Sequence, residues 1–254
     1  MPKFFVDRNI SDNETEIIIT GADKHHMTDV LRIRAGEQIE VSDLSGRSFR
    51  CRLSSFDSEK AVLSIIERIS VSKESGIFIR VFQGLPKSDK MEIIIRECTQ
   101  LGACEIIPVI CARSVSRFRD GKDITRKIER WQKIALEAAK QSGRDLVPLV
   151  SRPVDFKEAV MIASEAELKF LPWENENALN LKVFLRDHHI GAESVRGRPE
   201  TVSFLTGPEG GFDASEISLA VSMGIETVTL GKRILRTETA SPAVLAMLLY
   251  EFEM

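Results

Sequence analysis

Leu-Thr-Gly-Pro-Glu-Gly-Gly-Phe, residues 205–212, and Leu-Gly-Lys-Arg-Ile-Leu-Arg-Thr-Glu-Thr-Ala, residues 230–240, decide how this chain is read. Each run begins where an apolar strand stops: residues 201–205 read as a buried strand ending at Thr206 and Gly207, and residues 225–230 as another ending at Gly231. Both loops therefore hang from the C-terminal ends of strands, where open α/β sheets bind ligands. Gly207, Gly210 and Gly211 let main-chain groups come close to a bound molecule, and Pro208 restricts the turn between them. A plain strand-to-helix turn also explains the first run, because Asp213 with Glu216 forms a capping box for a helix over residues 214–223 that Gly224 closes. The second run favours a site. Arg236, Thr237, Glu238 and Thr239 are too polar for a buried turn, and they lead into an almost wholly apolar helix over residues 242–252, with Ser241 as N-cap and Pro242 at its first position.

Upstream, strands and helices alternate. Residues 77–83 form a strand, residues 84–88 a loop, and Asp89 with Glu92 caps a helix that runs to Leu101 and stops at Gly102; the next strand covers 104–110. Residues 126–142 place Ile128, Trp131, Ile134, Ala135, Ala138 and Ala139 on one helical stripe, with Arg126, Lys127, Arg130, Lys133, Lys140 and then Arg144 away from it. A helix over 156–165, a strand over 168–171, a loop at Pro172, Trp173 and Glu174, and a helix over 181–186 follow; the connection over 188–200 has no assignable course. This alternation predicts a parallel, doubly wound sheet, with the strand ends after Leu171, Leu205 and Leu230 meeting at one pocket.

Residues 1–72 are different. Five β-rich stretches (4–6, 16–20, 38–42, 49–54 and 61–69), a hairpin turn at residues 44–47 and one helix over 25–31 suggest a small closed or half-closed barrel. The polar stretch 71–76 reads as a linker, dividing the chain into domains of residues 1–72 and 76–254.

The chain has 254 residues, 43% of them hydrophobic and 29% charged, which describes a folded, soluble protein of one or two domains. No run approaches the ~20 apolar residues of a membrane span, and the first residues lack the core of a signal peptide, so the cytoplasm is the expected location. Cys51, Cys98, Cys104 and Cys111 form no Cys-x-x-Cys pair, and the adjacent pairs His25–His26 and His188–His189 have no carboxylate or thiol at ligand spacing; no metal site is expected. The net charge of −3 is unevenly spread, since residues 84–144 carry thirteen Lys/Arg against eight Asp/Glu. Such a segment suits contact with phosphates, or a solvated helix face of mixed charge. Phe118 between Arg117 and Arg119 is likewise either a base-stacking group or the anchor of a solvated loop.

The two C-terminal runs, in this order and spacing, closely resemble the knotted SPOUT methyltransferases, and within them the RsmE family, which methylates N3 of a uridine in 16S ribosomal RNA of the small subunit. Pro86-Lys87 with Lys90 and Glu92, Leu101-Gly102, residues 131–135 and residues 137–144 extend the likeness along the chain. The resemblance implies an α/β knotted parallel-sheet domain with a C-terminal trefoil knot, preceded by a small PUA-like β-barrel. It implies S-adenosylmethionine held by Leu171, Pro172 and Trp173, by Leu205, Thr206, Gly207, Pro208, Glu209, Gly210 and Gly211, and by Leu230, Gly231, Ile234, Leu235, Arg236, Thr237, Thr239 and Ala240. Arg8, Arg32, Lys87, Lys90, Arg113, Lys133, Lys140 and Arg144 are the candidates for RNA contact. The apolar last helix would be buried on several sides, in a homodimer interface or in the core of a monomer. A base must take the N3 proton of uracil, and neither run contains a histidine. Glu209 and Glu238 qualify if burial raises their pKa; alternatively Arg236 stabilises the uracil anion while water takes the proton. Another RNA target of the same superfamily and a non-catalytic ribosome-assembly factor are the competing functions.

Overall fold

The structure, a computed structural model, describes residues 1–116, 118–191 and 198–253. Arg117 and residues 192–197, the middle of the connection without an assignable course, lie outside them, as does the side chain of His189. The chain forms two compact units, Met1–Glu74 with Ala139–Val147 and Ser75–Ala138 with Pro148–Met254.

In the first unit, β1 (Lys3–Phe5), β2 (Glu16–Thr20), β3 (Gln38–Ser42), β4 (Ser48–Phe56) and β5 (Lys60–Ile69) form one sheet in the order β1-β3-β4-β5-β2. Among the described residues no pairing joins β1 to β2, so the sheet is an open half-barrel. Alternate residues point inward, and Ile17, Ile19, Ile39, Val41, Phe49, Leu53 and Leu63 make the core. The helical segment starts earlier than expected. α1 (Gly21–His25) runs into a π-helical turn, His26–Val30, which sets Met27 in that core. The Asp43 carboxylate organises the hairpin turn between β3 and β4, accepting from the Ser45 and Arg47 backbone N–H groups at 2.9 and 3.0 Å.

The sequence division at residues 72–76 omits the return of 139–147 to this unit. Ion pairs explain the return. Asp145 is buried against the Lys3 ammonium, and it accepts from the Ser48 hydroxyl (2.6 Å) and the Lys73 N–H (2.7 Å). Arg144 pairs with Glu74, whose carboxylate also accepts from the backbone N–H groups of Asp145 and Leu146.

The second unit contains β6 (Phe78–Gly84), α2 (Lys90–Gln100), β7 (Glu105–Ile110), most of α3 (Gly121–Ser142), β8 (Leu149–Val150), β9 (Val154–Asp155), α4 (Phe156–Ser164), β10 (Leu168–Pro172), α5 (Leu181–Gly191), β11 (Thr201–Thr206), α6 (Ala214–Ser222), β12 (Glu226–Val228) and α7 (Thr237–Phe252). The strand order is β12-β10-β11-β6-β7-β8, with β9 also on β7, and every pairing is parallel. Strands covered on both faces read as apolar runs; accordingly Ile79, Val81, Phe82, Phe170, Leu171, Val202, Phe204 and Leu205 are all buried. The Asp213–Glu216 capping box forms as expected, and Glu216 additionally accepts from the Ala112 N–H at 2.8 Å.

α7 departs from the sequence reading in two ways. It begins at Thr237, so Pro242 lies in its interior rather than at its start. The reason is a fully buried amide. Gln83, at the end of β6, donates from Nε2 to Thr237 Oγ1 and to the Gly84 carbonyl, each at 2.9 Å, while its Oε1 lies 2.9 Å from the Thr206 hydroxyl and 2.7 Å from that of Ser241. Thr237 and Ser241 are four residues apart on one helical face, and helix from Thr237 onward delivers both. The second departure concerns burial. Val244, Leu245, Leu248 and Phe252 are packed away, but Met247 and Tyr250 remain exposed at 41% and 72%. Among the described residues no helix is long and apolar enough to cross a membrane.

Replacing Gln83 by Leu leaves the Thr206, Thr237 and Ser241 hydroxyls without their shared partner. An orphaned buried polar group costs about 1–3 kcal/mol, so the thermal midpoint should fall by several degrees; an unchanged midpoint would show the network to be dispensable. A pH dependence is expected from Asp145. Burial pushes its pKa up, but Lys3, the Lys73 N–H and Ser48 outweigh that and hold it below the ordinary value. Its contribution is then complete above the unfolded pKa of about 3.9 and is lost as pH falls through the lower folded value. In thermal melts the wild-type advantage over Asp145→Asn should be constant from neutrality to about pH 5 and shrink below about pH 4; an advantage independent of pH would contradict the assignment.

Candidate cofactor and active site

β10, β11 and β12 are adjacent and parallel, so their C-terminal ends open on the same side. A cavity of about 610 Å³ lies there. Its walls are Pro172 and Trp173 after β10, residues 206–212 after β11, and residues 229–237 with Ala240 between β12 and the first turns of α7. The structure thus brings together most of the residues expected there from sequence: Pro172, Trp173, Thr206 to Gly211, Leu230, Gly231, Ile234, Leu235, Arg236, Thr237 and Ala240. Three do not line it. Leu171 and Leu205 are in-facing strand residues packed in the core beneath, and Thr239 is turned outward to solvent on the first turn of α7. Glu174, Asn177, Phe212, Thr229, Lys232 and Arg233 line it without having been singled out, although each sits within a few residues of a quoted stretch.

Contacts from several directions fix the loop after β11. A Cβ on Gly84 would fall 2.5 Å from Pro208 Cδ and 2.6 Å from its nitrogen, so only glycine fits where β6 passes under the loop. Gly211 turns the chain back at φ +66°, donating to the Pro208 carbonyl at 2.9 Å. Thr237 Oγ1 donates to the Gly207 carbonyl at 2.7 Å, and Arg113 donates to the Gly210 carbonyl at 3.1 Å.

At the mouth of the cavity, Lys90 Nζ stands 3.1 Å from Glu209 and 3.2 Å from Glu238. Glu209 also accepts from the Lys87 backbone N–H at 3.1 Å. The carboxylates do not meet the condition set for a proton acceptor, a raised pKa. Partial burial pushes Glu209 up, but its own backbone N–H, Lys90 and the Lys87 N–H together take it below the ordinary range. The Glu238 carboxyl is lowered by its own backbone N–H against a smaller effect of burial, then further by Lys90 and Arg236. Lys90 is raised in turn by its close pairing with Glu209 and Glu238. Arg236 is the N-cap residue of α7; its guanidinium is 83% exposed and 4.0 Å from Glu238 Oε1.

The RNA-contact candidates divide. Arg144 is withdrawn from the surface, because its guanidinium is buried on Glu74. Lys140 is largely covered and pairs with Asp23 at 2.9 Å. Arg8 is exposed and paired with Glu14, Arg32 is exposed at a positive φ of 54°, and Lys87 and Lys133 are exposed. Arg113 serves the loop after β11 and pairs with Asp213 at 3.4 Å. Phe118 packs edge-on against Trp131, with Lys127 over its ring, as an anchored loop residue does.

Two family models match: an RNA methyltransferase domain over residues 73–249 and an RNA methyltransferase PUA domain over residues 19–66. The chain belongs to the RNA methyltransferase family that these models describe. Ribosomal RNA small subunit methyltransferase E of Bacillus subtilis is 34% identical over 100% of this chain and 98% of its own. Among solved structures, the enzyme of that name from Neisseria gonorrhoeae, bound to S-adenosyl methionine, superposes with a TM-score of 0.81 at 29% identity, covering 98% of this chain and 97% of the other. A putative methyltransferase of Legionella pneumophila with the same cofactor bound gives 0.81 at 26%, covering 98% and 96%.

The contact between Gly84 and Pro208 is directly testable. Overpacking a tight site costs about 1–3 kcal/mol, so Gly84→Ala should lower the thermal midpoint and speed amide exchange over residues 207–211. Gly121→Ala, where a Cβ meets nothing within 4 Å, is the control. Equal behaviour of the two variants would refute the close approach.

Proposed function

We propose that the chain transfers a methyl group from S-adenosylmethionine to N3 of a uridine in 16S ribosomal RNA, in the cytoplasm and as a homodimer. The observation that carries this reading is the cavity at three parallel strand ends, in a chain similar along its whole length to the B. subtilis enzyme. The cavity is of a size for a nucleoside cofactor. Its walls fit one: the loop after β11 offers main-chain groups at glycines where side chains have no room, Trp173 and Leu235 are apolar walls, and Glu174 adds a carboxylate. We assign the cofactor to residues 206–211 and 230–237 with Pro172, Trp173 and Ala240.

A bound S-adenosylmethionine supplies an electrophilic methyl on a sulfonium. Uracil N3 would take that methyl as its proton leaves to solvent, so the part of this chain is to hold the base in line with the cofactor and to steady the negative charge on the ring. Arg236 is the group for the uracil charge: it is cationic, at the rim of the cavity and open to substrate. Glu209 and Glu238 are better suited to holding Lys90 than to taking a proton, since both are held below the ordinary carboxyl range.

The trefoil knot is part of the proposal. β12 is at the sheet edge, yet the next residues return to Gln83 on β6 and Thr206 on β11, which is the path a threaded C-terminal segment takes. The exposed side of α7, Met247 and Tyr250, with Ile93 of the neighbouring α2, supplies an apolar face for a second copy. Arg8, Arg32, Lys87 and Lys133 remain the candidates for ribosomal RNA.

Purified chain should transfer labelled methyl from S-adenosylmethionine to small ribosomal subunits lacking the modification, with N3-methyluridine found by nucleoside mass spectrometry. Arg236→Ala should lower kcat by about a hundredfold or more, a loss larger than any weakening of cofactor binding that follows from its place in the cavity wall. Cofactor binding without uridine methylation would reassign the target within the family; absence of cofactor binding would leave an RNA-binding assembly factor.

A further inference from the structure

Lys90 occupies an unusual position for a lysine of the first turn of a helix. Cations are unfavourable at a helix N-terminus, and two residues on, at Glu92, α2 has the acidic residue expected in its first turn. The Lys90 ammonium is instead held between two carboxylates from distant parts of the chain. Glu209 belongs to the loop after β11, and Glu238 to the first turn of α7. Both segments contribute to the lining of the cavity, as does Lys90 itself.

The two carboxylates are also tied elsewhere. Glu209 accepts from the Lys87 N–H, and Glu238 has its second oxygen, Oε1, toward Arg236 at 4.0 Å. Charges therefore alternate across the mouth of the cavity in the order Glu209, Lys90, Glu238, Arg236. Without the ammonium, two carboxylates would stand at one rim, with Arg236 4.0 Å from one of them. Glu238 would then be drawn to the arginine, and among the described residues no other ion pair joins the loop after β11 to α7.

From this we infer that Lys90 is a positioning residue: it clamps the loop after β11 to the first turn of α7 and, by engaging one oxygen of Glu238, sets where Arg236 stands at the rim. The inference rests on the proposed function for its catalytic consequence and differs from the reading of Lys90 as an RNA phosphate contact. A lysine whose ammonium stands within 3.2 Å of two carboxylates has a structural engagement that a phosphate would have to break.

The test uses the full chain, with Lys90→Met, Lys90→Arg, Glu238→Gln and the Lys90→Met/Glu238→Gln double variant. Amide exchange of the protein without ligands reads the clamp whatever the cavity binds. Lys90→Met should speed exchange in both 207–211 and 237–241, and Lys90→Arg should restore most of the protection. In binding and turnover, Lys90→Met should weaken S-adenosylmethionine about tenfold and lower kcat, with KM for the RNA within about twofold; the double variant should be no worse than Lys90→Met, because the pair acts as a unit. Unchanged exchange in both segments overturns the inference. So does a Lys90→Met protein that binds the cofactor normally but binds RNA more weakly, with a shallower salt dependence, which is the signature of a lost phosphate contact. If the wild-type protein binds no S-adenosylmethionine, the proposed function fails, and the exchange data still decide the clamp.

Discussion

Everything at the cavity depends on one buried side chain amide. An amide sealed in a sheet is costly unless its two N–H groups and its carbonyl oxygen are all used. Gln83 uses them all: it donates to Gly84 and Thr237 and is approached by the hydroxyls of Thr206 and Ser241. It thereby connects the end of β6 to the end of β11 and the start of α7, both of which lie more than a hundred residues further along the chain. Each partner then imposes something further. Thr237 passes the constraint on to the Gly207 carbonyl, and Thr206 ends β11 where the loop sets out.

That loop is shaped by exclusion as much as by attraction. Pro208 rests where only a glycine at position 84 leaves space, and Gly210 lies so close to Arg113 that a Cβ there would be 3.0 Å from the arginine's own Cβ. A binding surface made mostly of main chain has no side chains to adjust, so its precision must come from the neighbours that pin it. The polar network beneath, the ion pairs at the rim and the two close approaches perform that function together.

Local chemistry made much of this legible in the sequence. The capping box of Asp213 and Glu216 involves residues three apart, the glycines mark the loop, and the apolar strands are contiguous; each could be read without knowing the fold. What could not be read is non-local. Pro242 with Ser241 before it is a sound helix start by local rules, yet α7 begins one turn sooner because Thr237 must reach Gln83. Arg144 and Lys140 look like part of a basic face, but their partners are Glu74 and Asp23, far away along the chain. The same holds for Lys90 and its carboxylates, and for Leu171 and Leu205, which flank the cavity in sequence but face the core in space. The likeness to a known family supplied the cavity's composition; only coordinates reveal which charges are already spoken for.

The return of residues 139–147 to the first unit has a consequence for biogenesis. As the chain emerges from the ribosome, the half-barrel is complete in its strands by Ile69, but Lys3, which also has Glu40 at 3.7 Å, lacks its closer and more deeply buried counter-ion until Asp145 has been made. Glu74 likewise awaits Arg144. A protein synthesised from its N-terminus therefore cannot finish its first unit before more than half of the chain exists, and β6, α2, β7 and most of α3 are translated inside that interval. The two units mature as overlapping events in time rather than one after the other.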